Sequence, residues 1–327
     1  MSARFASILG VAGTLALSTH AFAFCRATTC DPSKDSCERD SGSCLTTGKP
    51  LTWTSSCLQV YMQADGLPSQ GISFAAAKQS LTRAFDAWLS VDCSGAAPLL
   101  EVQVMGPITC GASEYNPTQK NANIVVFRSN EWPYIGGEDA LGFTHLSFNA
   151  DTGELWDADI EINAVGQAYS IGDPVMGADL DSVLTHEAGH LLGLAHTLDK
   201  NATMFASYTP GTSTLRTLDS DDMKAVCAAY PTDRVPSRTS CAPRHGFSDA
   251  CSADQPPNSA TNEGTDQEAT GNGDVSTSSK GCAFVAAPSR FDWFARIAAL
   301  GGAFGLCVRR RRARHQFVSC ERGVRQR

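Results

Sequence analysis

Residues 185–196 read THEAGHLLGLAH, which sets His186, His190 and His196 at intervals of four and six, with Glu187 directly after the first histidine. On a helix of ~3.6 residues per turn, positions four apart share a face and are separated by about 6 Å of rise, so the His186 and His190 imidazoles can reach one ion. Glu187 stands where a carboxylate can meet a metal-associated water without itself ligating. Gly193 ends the helix, and a left-handed turn there swings His196 back as a third ligand. Three neutral nitrogens leave a fourth, open position. The chemistry this supports is hydrolysis without a covalent intermediate: zinc acidifies water toward a pKa of about 7 and polarises a carbonyl, while Glu187 takes the proton and passes it to a leaving amine. The competing reading is a polar helix with incidental histidines. H-E-x-x-H alone would not decide between the two, but the further Gly193 and His196 weigh heavily against coincidence.

Other elements must position this stretch. The sequence predicts one helix from about 179, capped by Asp179 or Asp181 and stopped at Gly193. Alternation predicts strands near 57–64, 99–105, 123–129, 141–149 and 157–164, the last two joined across the turn at 150–154. Ala77, Leu81, Phe85 and Leu89 recur with helical spacing behind a Ser73 cap. A final helix at 219–230 has acidic residues in its first turn and ends before Pro231.

With these residues in view, the chain resembles the metzincin metallopeptidases, whose signature is H-E-x-x-H-x-x-G-x-x-H followed by a methionine turn. Met204 in NATMFASY follows His196 by eight residues, and Tyr208 comes four later. The AFDAW, DADIEIN and LDSDDMKAV stretches are similar to the matrixin catalytic domain, over about residues 50–232. The resemblance implies an α+β fold, with a twisted mixed β-sheet, an antiparallel edge strand and about three helices. It implies one catalytic zinc on His186, His190 and His196, Glu187 as general base and Met204 as an apolar floor. Leu141, Gly142 and Phe143 on the edge strand would bind an extended protein or peptide substrate by strand addition. Tyr208 and Ala206 would line the specificity pocket, although matrixins usually carry proline where Ala206 stands. Calcium sites are common in the family, and the acidic turn near Asp151 is too generic to assign one.

The chain also departs from the family. A second, structural zinc needs three more histidines and an aspartate, and His145 alone remains in the domain; it reads as a surface or satisfied strand residue. No P-R-C-G latency motif precedes Pro50, which leaves a thiolate from Cys25, Cys30, Cys37 or Cys44 as the one cysteine-based alternative. The Asn201-Ala202-Thr203 sequon is a pattern only.

The 327 residues carry a formal charge of −8, and the only dense basic run lies at 309–314, so nucleic acid is excluded as an expected partner. Residues 1–23 read as a signal peptide cut after Ala23. Thirteen cysteines suit an oxidising compartment, with Cys93–Cys110 and Cys241–Cys251 as expected local pairs. The expected order is a Cys-rich stapled extension at 24–50, outside the core, a catalytic domain at 51–232, and a Cys-containing, then disordered polar linker at 233–280. Last comes a Gly-Cys, apolar and arginine-rich segment at 281–327. That segment resembles the C-terminal sorting signals of bacterial surface proteins, in particular the Gly-Cys type of myxobacteria, which implies attachment to the membrane or cell surface. The reading is an exported, monomeric zinc endopeptidase, either secreted or held at the bacterial envelope. Its rival is a non-catalytic surface module that keeps zinc for stability and binds a partner through the same groove.

Overall fold

Apolar residues on one or both faces set the longer strands, and the computed structural model, which describes residues 24–113, 115, 122–134, 137–243 and 277–286, places them in one mixed sheet flanked by two short two-stranded ladders. In chain order the elements are β1 (Cys25–Arg26), β2 (Cys57–Met62), α1 (Phe74–Leu89), β3 (Glu101–Val104), β4 (Asn123–Arg128), β5 (Ala140–Asn149) and β6 (Leu155–Asn163). There follow β7 (Tyr169–Ser170), β8 (Ala178–Asp179), α2 (Leu180–Leu191), β9 (Leu194–Ala195), β10 (Ser207–Tyr208), α3 (Ser220–Ala229) and β11 (Thr277–Ala286). The central order is β3-β2-β4-β6-β5, parallel except for β5, which runs antiparallel to β6. This is the α+β arrangement that the sequence implied.

Strand β4 shows why the sheet is covered on both faces. Val125 and Phe127 join the main core, while Ile124 and Val126 point the other way, into a smaller cluster with Ile108, Cys110 and Ala122. On the main face α1 buries Ala77, Leu81, Ala84, Phe85 and Trp88 at helical spacing, and Ser73 caps it by accepting from the Ala76 amide. Helix α1 packs on α2, where the Trp88 indole donates to the Thr185 carbonyl at 2.8 Å. Helix α3 begins with a capping box between Asp219 and Asp222.

Three expectations need correction. The 24–50 segment is more than an extension: Ala27 enters the main core, and β1 pairs antiparallel with β9 inside the histidine motif. The local disulfides do not form, because the packing of distant elements brings together cysteines that are remote in sequence. Cys57 bonds Cys241 and Cys93 bonds Cys227, while Cys25–Cys44 and Cys30–Cys37 staple the N-terminal segment. Those four N-terminal thiols are therefore all spent, which removes the thiolate alternative. The stretch after 232, expected as linker, is ordered through 243: Arg234 donates to the carbonyls of Leu99 and Trp53 at 2.8 Å each. Its polar composition concealed partners that are backbone carbonyls far away in the chain.

Strand β5 is the outermost of the central five, but its outer side carries β11, and β10 lies beyond. Residues 277–280, expected within the polar linker, and Gly281-Cys282 of the sorting-like segment thus lie in a strand. That strand runs on through Ala286; residues 287–327, and the signal peptide, fall outside the described residues. Among the described residues no helix is long and apolar enough to cross a membrane.

Candidate metal centre and active site

Helix α2 is fixed at both ends before any histidine is placed. Asp179 caps it by accepting from the Ser182 amide at 2.9 Å, and Arg216 grips the same carboxylate at 2.7 and 2.8 Å. At the far end Gly193 has φ +83°, and a Cβ there would meet the Leu51 carbonyl oxygen at 2.5 Å. Only glycine allows both the left-handed turn and the close backbone approach. That turn brings His196 back toward His186 and His190.

The three Nε2 atoms converge, 3.1 Å apart for His186–His190 and for His190–His196, and 3.2 Å apart for His186–His196. Two Nδ1 atoms face backbone carbonyls, His186 to Thr203 at 2.6 Å and His190 to Leu194 at 2.9 Å. A carbonyl only accepts, so both Nδ1 atoms carry protons and both Nε2 lone pairs point inward. Burial holds His190 down to about 4, and burial with the neighbouring His190 and His196 rings holds His186 well below its ordinary value. Neutral imidazoles presenting lone pairs to one point are the state a cation requires. Tetrahedral bonds of about 2.0–2.1 Å to nitrogen place ligand atoms about 3.3 Å apart, so the trio fits zinc.

Glu187 is fully buried beside this point. Its Oε2 accepts from the Thr144 hydroxyl at 2.5 Å, and its Oε1 has no hydrogen-bond partner. A buried carboxylate oxygen without a donor is costly, and here it belongs to the group expected to serve as base. Burial pushes the Glu187 carboxyl up to about 8, against the lowering effect of Thr144. Gly142 packs against it so closely that a Cβ would lie 2.5 Å from Oε1.

The floor is built from the methionine turn. Met204 is buried, and a Cβ on Gly189 would collide with its Sδ and meet the Trp88 ring at 2.7 Å. Both oxygens of Asp222 hold this turn, accepting from the Thr203 amide at 2.6 Å and the Met204 amide at 3.1 Å. The turn therefore orients His186 through the Thr203 carbonyl.

The other sequence-derived residues sort by strand parity. Gly142 and Thr144 face α2, whereas Phe143 lies on the opposite side and stacks on Tyr134 with ring centres 4.6 Å apart. Leu141 is buried, and its carbonyl accepts from the Tyr169 hydroxyl at 2.7 Å. Tyr208 is fully buried, and its hydroxyl accepts from the Asp179 amide at 2.9 Å and donates to the Thr212 carbonyl. His145 is held by the Tyr134 hydroxyl at 2.6 Å, which also donates to Glu161. Among the described residues one other ligand-like group occurs, Cys57, Glu101 and Cys241, but its cysteines are joined in a disulfide. Sequence reading missed Thr144 and Asp222. Thr144 stands two residues after Gly142, on the same strand face, and Asp222 is the third residue of a helix whose acidic opening was noted without a role for that side chain.

Comparison with known proteins agrees with this geometry. The matrixin family model matches residues 101–231. Metalloendoproteinase 1 of Glycine max is 31% identical over 159 residues, covering 47% of this chain and 45% of that protein. Metalloendoproteinase 1-MMP of Arabidopsis thaliana is 36% identical over 80 residues, covering 24% of this chain and 20% of that protein. The chain spans less than half the length of these curated relatives. Motif, methionine turn and matched segment converge on residues 101–231, which are similar to the matrixin family.

Proposed function

We propose that this chain is an exported, zinc-dependent endopeptidase acting on extended protein or peptide segments. The observation that carries the reading is the convergence of three neutral imidazoles beside a buried carboxylate that keeps one oxygen free. His186, His190 and His196 would hold the ion. When bound, zinc supplies a Lewis-acid charge that polarises a carbonyl and acidifies water.

The chain's own residues do the rest. Thr144 fixes one oxygen of Glu187, which leaves Oε1 to accept a proton from water and return it to the leaving amine. Gly142 permits this placement because it lacks a side chain. Met204 and Trp88 wall the site from below, and the buried α2 environment excludes bulk water and strengthens each electrostatic contact. The outer edge of β5, which β11 pairs with here, is the edge that would hold an extended substrate as one more strand in its place.

Export is supported by the disulfides Cys25–Cys44, Cys30–Cys37, Cys57–Cys241 and Cys93–Cys227 and by the signal-like residues 1–23. Surface attachment through residues 281–327 is supported by their Gly-Cys, apolar and arginine order, and the mass of the mature C-terminus tests it: an intact Arg327 on freely soluble protein refutes attachment. The main test compares wild type with Glu187→Ala for zinc content and for cleavage of casein and a peptide library. The proposal expects one zinc in both and cleavage by wild type only. Zinc in both with cleavage by neither would favour the binding module.

A further inference from the structure

The edge of β5 that would receive substrate already has a neighbour from the same chain. Strand β11 runs antiparallel along the whole of it, from Thr277 opposite Asn149 to Val285 opposite Ala140. On its other side β11 pairs in parallel with β10, Ser207 opposite Val285 and Tyr208 opposite Ala286. It therefore fills the slot between the two elements that the matrixin resemblance gives to substrate. The register is specific to the site. Gly142 and Thr144, which cradle Glu187, stand opposite Phe284 and Cys282.

A strand edge has one row of N–H and C=O groups and can pair with one segment at a time. We infer that residues 277–286 are an intramolecular occupant of the substrate groove, which keeps the site closed to substrate by strand pairing with β5 and β10. This rests on the reading of that groove as the substrate site. Occupancy of this kind needs backbone pairing and no particular side chain. A tethered segment is present at an effective concentration on the order of 1 mM, so one that binds as a free peptide at about 0.1 mM raises the apparent KM about tenfold.

The test uses the full chain. Neighbouring N–H groups in a strand point to opposite edges, so the double substitution Ala283→Pro/Phe284→Pro removes two backbone donors of β11, one of them directed at β5, immediately before the Val285–Ala286 pair that meets β10. Hydrogen exchange measured on peptides covering residues 140–149 is expected to speed up at least tenfold in this variant. Ala283→Ser/Phe284→Leu keeps both donors and is expected to exchange like wild type. With zinc bound, the proline variant is expected to show KM about tenfold below wild type at similar kcat. A synthetic TSSKGCAFVA peptide and its Cys282→Ser form should both restore inhibition.

Equal exchange and equal KM in wild type and proline variant would overturn the inference. It is equally overturned if the effect weakens on dilution, which would mean pairing between two molecules, or if only the cysteine-containing peptide inhibits, which would mean thiol ligation. Concentration-independent cleavage within 277–286 on zinc loading would make the segment a substrate in cis and would also refute durable closure. Failure of the peptidase reading looks different: no form cleaves anything, while the exchange measurement still decides occupancy.

Discussion

Replacing Gly142 by alanine should separate the base from the metal. Its backbone does not require glycine, since its φ is not among the positive values, so the effect of Gly142→Ala lies in what the new methyl meets. That methyl would sit 2.5 Å from Glu187 Oε1 and 2.8 Å from its Cδ. Ordinary contact distances are about 3.5 Å, so the carboxylate must retreat by about 1 Å. The backbone stays in place and the end of a side chain yields, so the stability cost should be at the low end of the ~1–3 kcal/mol usual for overpacking. Retreat, however, pulls Oε2 off the Thr144 hydroxyl and moves the base off its water. A 1 Å displacement of a catalytic group costs on the order of 10²-fold in rate, or about 2.7 kcal/mol of barrier. The expected outcome is near-normal zinc content, a Tm drop of a few degrees and kcat lowered about 100-fold. Gly111→Ala is the control, because a Cβ there has nothing within 4 Å. A Gly142→Ala enzyme with one zinc and kcat within threefold of wild type would refute the placement of Glu187 as the base.

Other consequences can be checked separately. Thr144→Val removes the donor to Glu187 while keeping its shape, and steady-state kinetics should show kcat lowered about tenfold with little change in KM. Asp222→Ala strands two buried amides in the methionine turn and should cost about 3–5 kcal/mol in denaturant titration, with weaker zinc retention as His186 loses its orienting carbonyl. Burial raises the Glu161 carboxyl, but the Arg128 ion pair at 2.7 Å, His145 and Tyr134 outweigh it and hold Glu161 below its ordinary range. A depressed folded value stabilises above the unfolded pKa of about 4.3 and is lost as pH falls through the folded one. The stability gap between wild type and Glu161→Gln should therefore be full at neutral pH and shrink below about pH 4. A gap that stays constant across that window would contradict the pairing. Breaking Cys57–Cys241, which closes a loop of 184 residues, should lower stability by about 2–5 kcal/mol.

Much of the site could be read before any coordinates, because its spacing is local. His186, Glu187 and His190 share one helix, and Gly193 with His196 follows within a single turn, so periodicity and one glycine suffice. Helix α1 with its Ser73 cap and strands β2, β4, β5 and β6 were legible for the same reason: each writes its own pattern of buried positions. The parts that escaped are non-local. Nothing near Thr144 says that its hydroxyl will meet a carboxylate on a helix beginning at Leu180. Two-residue strands such as β1, β9 and β10 are too short to carry any alternation, and β11 is too polar at its start to resemble a buried strand. The cysteines illustrate the limit most plainly, since nearness in sequence suggested Cys93–Cys110 and folding chose Cys93–Cys227.

The ladder between Cys25–Arg26 and Leu194–Ala195 joins the leading end of the folded chain to the bend that carries the third imidazole. Contacts of such long range form late, once intervening elements have assembled. His186 and His190 come with their helix, whereas His196 follows the Gly193 turn and lies directly after the strand that β1 braces. The third imidazole is thus held by a ladder to a residue pair more than 160 positions away, whereas the first two are held by the turn-to-turn bonding of a single helix.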